Sequence, residues 1–201
     1  MSAIPKPRKL TVAEYLAIEA KAETKSEFYD GEMFAMAGAS PPHNFIKENL
    51  SVEVGSRLRG SRCRTLSGDQ RVMIPRTGLY TYPDLVIVCG RPEFDPADPN
   101  TLINPVVVVE ILSPSTERYD RGAKFRQYQK LASVGEIVLV SQDQPLVQVF
   151  ARQPDGRWLL TTFDDPSGEF SLTSVPVAVP LADVYRDVEW PDAPADNPPP
   201  Q

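Results

Sequence analysis

The sequence predicts an α/β (α+β) fold that combines a parallel strand–helix–strand unit with antiparallel hairpins. The unit starts with the continuous β-branched run Val106 to Leu112, which is typical of a strand buried on both faces of a sheet. An amphipathic pattern predicts a helix from Asp120 through Ala132, and Glu136 to Val140 reads as a second buried strand. Two strands joined through a helix form a parallel crossover, which we expect to be right-handed.

Three elements are predicted ahead of this unit. Thr11 and Glu14 have the spacing of a capping box, so a short helix should start there. The pair Asp30-Gly31 lies between apolar segments, which predicts two antiparallel strands joined by a tight turn. A second helix is indicated by residues that recur at steps of three and four, and its inward stripe is His43, Ile46, Leu50, Val54 and Leu58.

The remaining segments complete a single domain. Further strands are expected at Arg64 to Leu66, Arg71 to Ile74 and Leu85 to Cys89, with a later hairpin of Leu146 to Phe150 and Trp158 to Phe163. The segment Arg91 to Asn104 is rich in Pro and Asp, so we expect a surface loop. We assign residues 1–190 to one domain and the Pro-rich residues 191–201 to a disordered tail.

Composition excludes several classes of protein. A hydrophobic fraction of 41% is that of a globular chain, and no apolar run approaches the roughly 20 residues of a membrane span. No apolar segment follows the basic N-terminus as in a signal peptide, so we expect a cytoplasmic location. Cys63 and Cys89 lie far apart and the chain has one His, which excludes a zinc cluster. We expect both cysteines to be reduced core residues.

The charge of the chain is unevenly distributed. A net charge of -6 argues against a broad electrostatic footprint on nucleic acid, because binding phosphates needs clustered Lys and Arg. One short stretch nevertheless concentrates basic residues, and these are candidates for contacts with a nucleic-acid backbone: Arg57, Arg59, Arg62, Arg64 and Arg71.

Two carboxylates at strand positions are the strongest functional signal. Glu110 follows four valines, and burial of a carboxylate is costly unless it meets a cation or several donors. Asp84 stands directly before its own apolar strand. If the strands are neighbours, the two charges repel by roughly 3 kcal/mol at about 5 Å, and a divalent cation reverses that sign. Hard oxygen ligands favour Mg²⁺ or Mn²⁺. A buried salt bridge for Glu110 and a turn cap for Asp84 are equally open alternatives.

The helix that follows Glu110 supplies a third group. The crossover should bring Lys124 back over the strand, where it could orient an attacking water and offset charge on a pentacovalent phosphate. Tyr128 lies four residues later on the same helical face. The Ser113 to Thr116 segment has no partner base for a nucleophilic serine, so we assign it to a turn and helix start.

These residues together resemble a known family, the Uma2-like proteins (DUF820) of the PD-(D/E)XK nuclease superfamily. The resemblance covers most of the chain and keeps the same order throughout. It is carried by Tyr29-Asp30-Gly31-Glu32-Met33 with Met36-Ala37-Gly38, His43, Tyr82-Pro83-Asp84, the segment Val109 to Thr116, and the segment Tyr119 to Lys124 with Tyr128.

The resemblance implies a restriction-endonuclease-like core, in which a mixed central β-sheet is flanked by helices. It also implies a Mg²⁺ (or Mn²⁺) site on Asp84 and Glu110, with DNA as the substrate. The superfamily motif places lysine two residues after the glutamate, where this chain has Leu112, so Lys124 is the candidate for a migrated lysine. Supporting residues implied near the site are Glu32, His43, Asp69 and Tyr128.

The sequence therefore predicts a metal-dependent endonuclease that hydrolyses DNA phosphodiester bonds through Asp84, Glu110 and Lys124. A catalytically silent nucleic-acid- or protein-binding module on the same fold is the alternative, favoured by Leu112 and the low basic content. A further alternative is a metal-dependent phosphatase that acts on small substrates, because such an enzyme would not need a basic groove for DNA. By analogy with nucleases that cut both strands of a duplex, we expect a homodimer.

Overall fold

A computed structural model describes residues 8–190. The helices are α1 (Val12–Glu19), α2 (Pro41–Arg57), α3 (Glu117–Tyr119), a π-helical segment (Asp120–Lys124), α4 (Phe125–Tyr128) and α5 (Leu181–Val184). The strands are β1 (Ser26–Tyr29), β2 (Glu32–Ala35), β3 (Cys63–Ser67), β4 (Arg71–Ile74), β5 (Leu79–Thr81), β6 (Leu85–Cys89), β7 (Phe94–Asp95), β8 (Asp98–Leu102), β9 (Val107–Leu112), β10 (Glu136–Ser141), β11 (Val147–Arg152), β12 (Trp158–Phe163), β13 (Glu169–Leu172) and β14 (Val177–Pro180).

Local sequence signals account for the N-terminal elements. The capping box of α1 is formed, with the Thr11 hydroxyl accepting from the Glu14 backbone and the Glu14 carboxylate accepting from Thr11. Asp30 and Gly31 both have positive φ, at 48° and 79°, as a two-residue turn between β1 and β2 requires. The hydroxyl of Ser40 caps α2, which starts with two prolines. The predicted helices and hairpin in this region are confirmed.

The strands form two six-stranded sheets and one two-stranded sheet. The first sheet has the order β2-β1-β5-β4-β8-β7, and the second has the order β12-β11-β10-β9-β6-β3. In the second sheet β9 and β10 are parallel, whereas β6 runs antiparallel to both β9 and β3. The structure is therefore α+β with mixed sheets, and the predicted parallel crossover and the later β11–β12 hairpin are both confirmed.

The second sheet is the central layer of the molecule, because both of its faces are covered. Val107, Val109 and Ile111 of β9 pack with α2, α5 and the β13–β14 pair. Val108 and Leu112 face the other way, toward residues of the first sheet and the helical segment after β9. Full burial of such a side chain contributes about 1.5–3 kcal/mol. Strand alternation places Glu110 on the same face as Val108 and Leu112.

The helix after β9 differs from the predicted span of Asp120 to Ala132. Helical structure starts earlier, at Glu117, passes through the π-helical segment and ends at Tyr128. It ends there because the guanidinium of Arg152 on β11 donates to the backbone carbonyls of Gln129 and Leu131, both at 2.8 Å. A π-helical turn is wider than an α-helical one and is frequent at functional sites.

Two further predictions are wrong. The expected loop between Arg91 and Asn104 contains β7 and β8, and β8 pairs in parallel with β4 at the centre of the first sheet. Cys63 and Cys89 are not reduced, because they form a disulfide across the antiparallel β3–β6 pair, in which they are direct partners. Their separation of 26 residues concealed this register.

The predicted disordered tail, residues 191–201, lies outside the described residues. Across residues 8–190, none of the helices has the length and apolar character needed to cross a membrane.

Candidate active site

Asp84 and Glu110 meet because β6 and β9 are antiparallel neighbours. Leu85 pairs with Val109, so the next residues in this register, Asp84 and Glu110, stand opposite each other. The Oδ2 atom of Asp84 accepts a hydrogen bond of 2.8 Å from the backbone N–H of Ile111. The Asp84 side chain is 19% exposed, whereas Glu110 is buried. One carboxylate of the pair is therefore open to solvent and the other lies inside the protein.

Lys124 lies beside Glu110 and is itself buried. Its ammonium nitrogen is 2.9 Å from Oε1 of Glu110. It is also 3.2 Å from Oε1 of Glu27 and 3.6 Å from Oδ1 of Asp120. The crossover thus brings the lysine over β9. Leu112 stands where the superfamily motif has its lysine, but its side chain is apolar and packed in the core. Three carboxylates share this single ammonium.

The π-helical segment explains how Lys124 reaches that position. Asp120 and Lys124 are its first and last residues, and both are buried although the segment carries Gly122 and exposed Ala123. A spacing of four residues places their side chains on the same side of the helix. Asp120 therefore accompanies the lysine into the cluster, and this i, i+4 spacing was the signal in the sequence that could have identified it.

Glu27 on β1 is the acid that sequence reasoning missed. Its Oε1 atom accepts a hydrogen bond from the Thr81 hydroxyl and its Oε2 atom accepts one from Tyr119 at 2.9 Å. The predicted supporting acid of this hairpin, Glu32, is instead exposed on β2. The inward-facing acid of this hairpin lies before the Asp-Gly turn, and the supporting role of Glu32 stays a prediction. Ser26, Glu27 and Phe28 are all buried, so β1 lacks the alternation of buried and exposed residues that would have identified Glu27 as inward-facing.

The electrostatics of the cluster follow from its burial. Burial raises the pKa of Glu110, whereas the neighbouring charge of Lys124 lowers it. Burial alone would lower the pKa of Lys124, but the neighbouring carboxylates, Glu110 above all, raise it well above 10.5. The pKa of Asp120 is also raised by burial. Lys124 is therefore a permanent cation at neutral pH.

Two further residues fix the carboxylate pair. The hydroxyl of buried Tyr128 donates to Oε1 of Glu110, the same atom that Lys124 contacts, so neither interaction uses Oε2. On the other side, Nε2 of His43 lies 3.2 Å from Oδ1 of Asp84. His43 is in the first turn of α2, and its Nδ1 is buried without a partner among residues 8–190. The structure thus brings two of the four predicted supporting residues, His43 and Tyr128, into contact with the pair.

Comparison with known proteins identifies the family. Residues 12–182 match the Uma2 family, whose description reads "Putative restriction endonuclease". The chain belongs to the Uma2 family. This confirms the Uma2 (DUF820) resemblance of the motifs around Asp84, Glu110 and Lys124.

Relatives and a solved structure agree with this assignment. Two uncharacterized proteins of Synechocystis sp. are similar along most of their length: slr1290 is 34% identical over 90% of this chain and 94% of its own, and sll1609 is 33% identical over 82% and 93%. A crystal structure of a "putative nuclease belonging to DUF820" from Anabaena variabilis has a TM-score of 0.72 at 19% identity. It covers 89% of this chain and 98% of that one, so the fold is shared.

The donor set of this Uma2 site fits a magnesium ion. Within residues 8–190, no three His, Cys, Asp or Glu side chains are grouped as a complete metal site. Mg²⁺ does not need such a cage, because it retains water ligands and is commonly held by one or two carboxylates together with substrate phosphates. Asp84 and Glu110 supply two hard oxygen ligands of this kind, and Asp84 is partly exposed. These two residues would hold the ion.

Asp69 lies apart from the cluster. Its side chain is 89% exposed and pairs with Lys25. It follows Gly68, whose backbone approaches that of Asp84, but the carboxylate is directed to solvent. The structure therefore does not bring Asp69 together with Glu110 and Lys124.

The predicted basic stretch is also divided. Arg71 is partly buried and donates to Asp98, Thr101 and Tyr82. Arg57 pairs with Glu53. Arg64 is exposed but is paired in register with Val88, four residues from Asp84, or about 14 Å along the strand. Arg59 and Arg62 are exposed and lie beyond it. The exposed arginines are at the opposite end of β3 from the carboxylate pair.

Proposed function

We propose that this Uma2 protein is a Mg²⁺-dependent endonuclease that hydrolyses phosphodiester bonds in DNA. The observation that carries the proposal is the 2.9 Å contact between Lys124 and Glu110, because it adds a fixed cation to a pair of adjacent carboxylates. The family description supports the nuclease class.

The carboxylates and the lysine have separate tasks in this mechanism. Asp84 and Glu110 would hold Mg²⁺, which when bound polarises the phosphate and lowers the pKa of a coordinated water. The charge of Lys124 would help to orient the attacking water and would offset the negative charge that grows on the phosphoryl oxygens. Such a charge is effective only if it is already in place, and Glu27 and Asp120 hold Lys124 at 3.2 and 3.6 Å.

Supporting residues preserve the geometry of the pair. His43 contacts Oδ1 of Asp84, while Oδ2 is held by the backbone of Ile111, so both oxygens of this carboxylate are oriented. The Tyr128 hydroxyl holds Oε1 of Glu110. Burial raises the pKa of Tyr128 well above 10, so the hydroxyl keeps its proton and acts as a donor.

Location and assembly also belong to the proposal. We place the protein in the cytoplasm, as a homodimer. In this location the Cys63–Cys89 disulfide would be an exception, because disulfides are rare in reducing compartments. Size-exclusion chromatography with light scattering, on freshly purified protein without reductant, measures the oligomeric state.

The experiment compares four proteins on plasmid DNA and on single-stranded DNA, with Mg²⁺, with Mn²⁺ or with EDTA. They are the wild type, Asp84→Asn, Lys124→Met and the control Asp164→Asn, which changes an exposed acid beyond β12. Asp84→Asn retains an acceptor for Ile111 and therefore tests the charge instead of the fold. We expect cleavage by the wild type and the control, and a loss of about 100-fold or more in the other two.

Three outcomes would contradict the proposal. Equal cleavage by all four proteins would exclude the site. Cleavage in EDTA would exclude metal dependence. No Mg²⁺ binding by calorimetry, with normal circular dichroism, would favour the catalytically silent binding module on the same fold.

A further inference from the structure

A row of three side chains crosses the first sheet beside the active site. Glu27 of β1 pairs directly with Phe34 of β2, and on its other side it accepts the hydrogen bond of Thr81 on β5. Directly paired residues of antiparallel strands project on the same face. Met33, the neighbour of Phe34, packs with the aromatic cluster on the opposite face. Phe34 therefore lies on the active-site face, at the edge strand.

Burial changes sharply along this row. Thr81 and Glu27 are buried, but Phe34 is 49% exposed. An aromatic ring at the rim of a polar site, with half of its surface in water, is not explained by packing. Phe34 takes part in no aromatic pair within residues 8–190, unlike Phe28 of the adjacent strand.

Tyr119 supplies a second exposed ring at the same place. Its hydroxyl donates to Oε2 of Glu27, the residue that pairs with Phe34, and its side chain is 40% exposed. Burial of the hydroxyl end raises the pKa of Tyr119, so the donor keeps its proton and the ring is anchored at one end. Both residues are thus neighbours of Glu27, Phe34 by strand pairing and Tyr119 by its hydrogen bond, and Glu27 itself holds Lys124.

The charge around these rings fits an unpaired strand better than a duplex. The exposed arginines of β3 lie about 14 Å or more along the sheet from Asp84, and Lys124 is neutralised by three carboxylates. Duplex binding depends on many phosphate contacts. Single strands can instead be held by stacking of bases on aromatic side chains, which needs fewer charges. Exposed Arg118, next to Tyr119, is placed for one such backbone contact.

We propose that Phe34 and Tyr119 form a stacking platform for unpaired bases, so that single-stranded DNA is the preferred substrate of this site. The inference rests on the proposed nuclease function and specifies its substrate class. The platform defines the strand's position, whereas Asp84 and Glu110 define the chemistry.

The test measures binding without catalysis. Fluorescence anisotropy in EDTA compares a labelled oligothymidylate of about 12 nucleotides with a mixed-sequence duplex of the same length. The variants are Phe34→Ala, Tyr119→Ala and Tyr119→Phe. Phe94→Ala is the matched control, because Phe94 is 42% exposed on β7, at the opposite edge of the same sheet.

We expect the wild type to bind the single strand more tightly than the duplex. Phe34→Ala and Tyr119→Ala should each weaken single-strand binding about tenfold, the effect of losing one stacked base. Tyr119→Phe keeps the ring and should bind within about twofold of the wild type, as should Phe94→Ala. Far-UV circular dichroism checks that each variant is folded.

The platform is overturned if Phe34→Ala and Tyr119→Ala bind the single strand as tightly as Phe94→Ala does, or if the wild type binds the duplex at least as tightly as the single strand. Absence of any binding to the single strand does the same. Cleavage with Mg²⁺ is measured separately. Cleavage without single-strand preference refutes the platform alone, and platform-dependent binding without cleavage refutes the nuclease alone.

Discussion

Replacement of Lys124 with Met removes a buried cation while keeping much of its volume. The ammonium has carboxylates of Glu110, Glu27 and Asp120 within 3.6 Å. At an effective dielectric near 20, a pair of unit charges about 3 Å apart attracts by roughly 5 kcal/mol. The cost of desolvating the ammonium, several kcal/mol, offsets part of that attraction. The variant, however, leaves three carboxylates without their partner.

The expected net loss is about 3–5 kcal/mol of unfolding free energy, the usual cost of removing one partner of a buried ion pair. At about 2–4 °C per kcal/mol for a domain of this size, Tm should fall by roughly 10 °C. Differential scanning calorimetry and urea denaturation at pH 7.5 in EDTA measure both values. Lys130→Met, which changes an exposed lysine shortly after α4, is the control. A Lys124→Met protein as stable as this control would refute a buried, charge-paired lysine.

Three further perturbations have defined outcomes. Tyr128→Phe removes the hydroxyl that donates to Glu110 and should cost about 1–3 kcal/mol in urea denaturation. Although burial would raise the pKa of Asp98, hydrogen bonds from Thr101 and Arg71 to its carboxylate hold that pKa below 3.8. Its contribution to stability is therefore present above pH 3.8 and is lost as pH falls through the lower folded value, so Asp98→Asn should unfold with a shallower pH dependence below about pH 4. Reduction of the Cys63–Cys89 disulfide releases a closed loop of 26-residue separation and should lower stability by about 3–4 kcal/mol.

Each of these outcomes can fail in a recognisable way. A Tyr128→Phe protein of unchanged stability would mean that the hydrogen bond from Tyr128 to Glu110 makes no net contribution to the unfolding free energy. An unchanged acid limb for Asp98→Asn would assign the acid sensitivity to other carboxylates. Identical denaturation with and without reductant would restore the prediction of reduced cysteines.

The sequence predicted elements whose signals are local. The Thr11–Glu14 capping box and the Asp30-Gly31 turn fix backbone geometry within a few residues, and both are formed. The run ending in Leu112 needed only its own composition to be recognised as a buried strand. Strand β8 was missed because Asp98, Pro99 and Asn100 are poor strand formers, and its pairing with β4 depends on residues far away in the chain.

The residues of the candidate site likewise fall into those with a local sequence signal and those whose burial depends on distant residues. Asp84 and Glu110 were found because a carboxylate beside a buried strand is costly wherever the strand goes. Glu27 was missed because its burial depends on Tyr119 and Lys124, which come from a distant part of the sequence. The π-helical turn has no comparable sequence rule, so the span of that helix was predicted incorrectly.

Lys124 joins parts of the chain that fold as separate layers. Its partner Glu27 belongs to the first sheet and its partner Glu110 to the second. Contacts between residues so distant in sequence form late, because the loop-closure entropy must be overcome first. The ammonium therefore reaches its place only when both sheets have assembled, and a partly folded chain would carry the carboxylates without the cation. The proposed chemistry at this seam would therefore require both sheets to be in place.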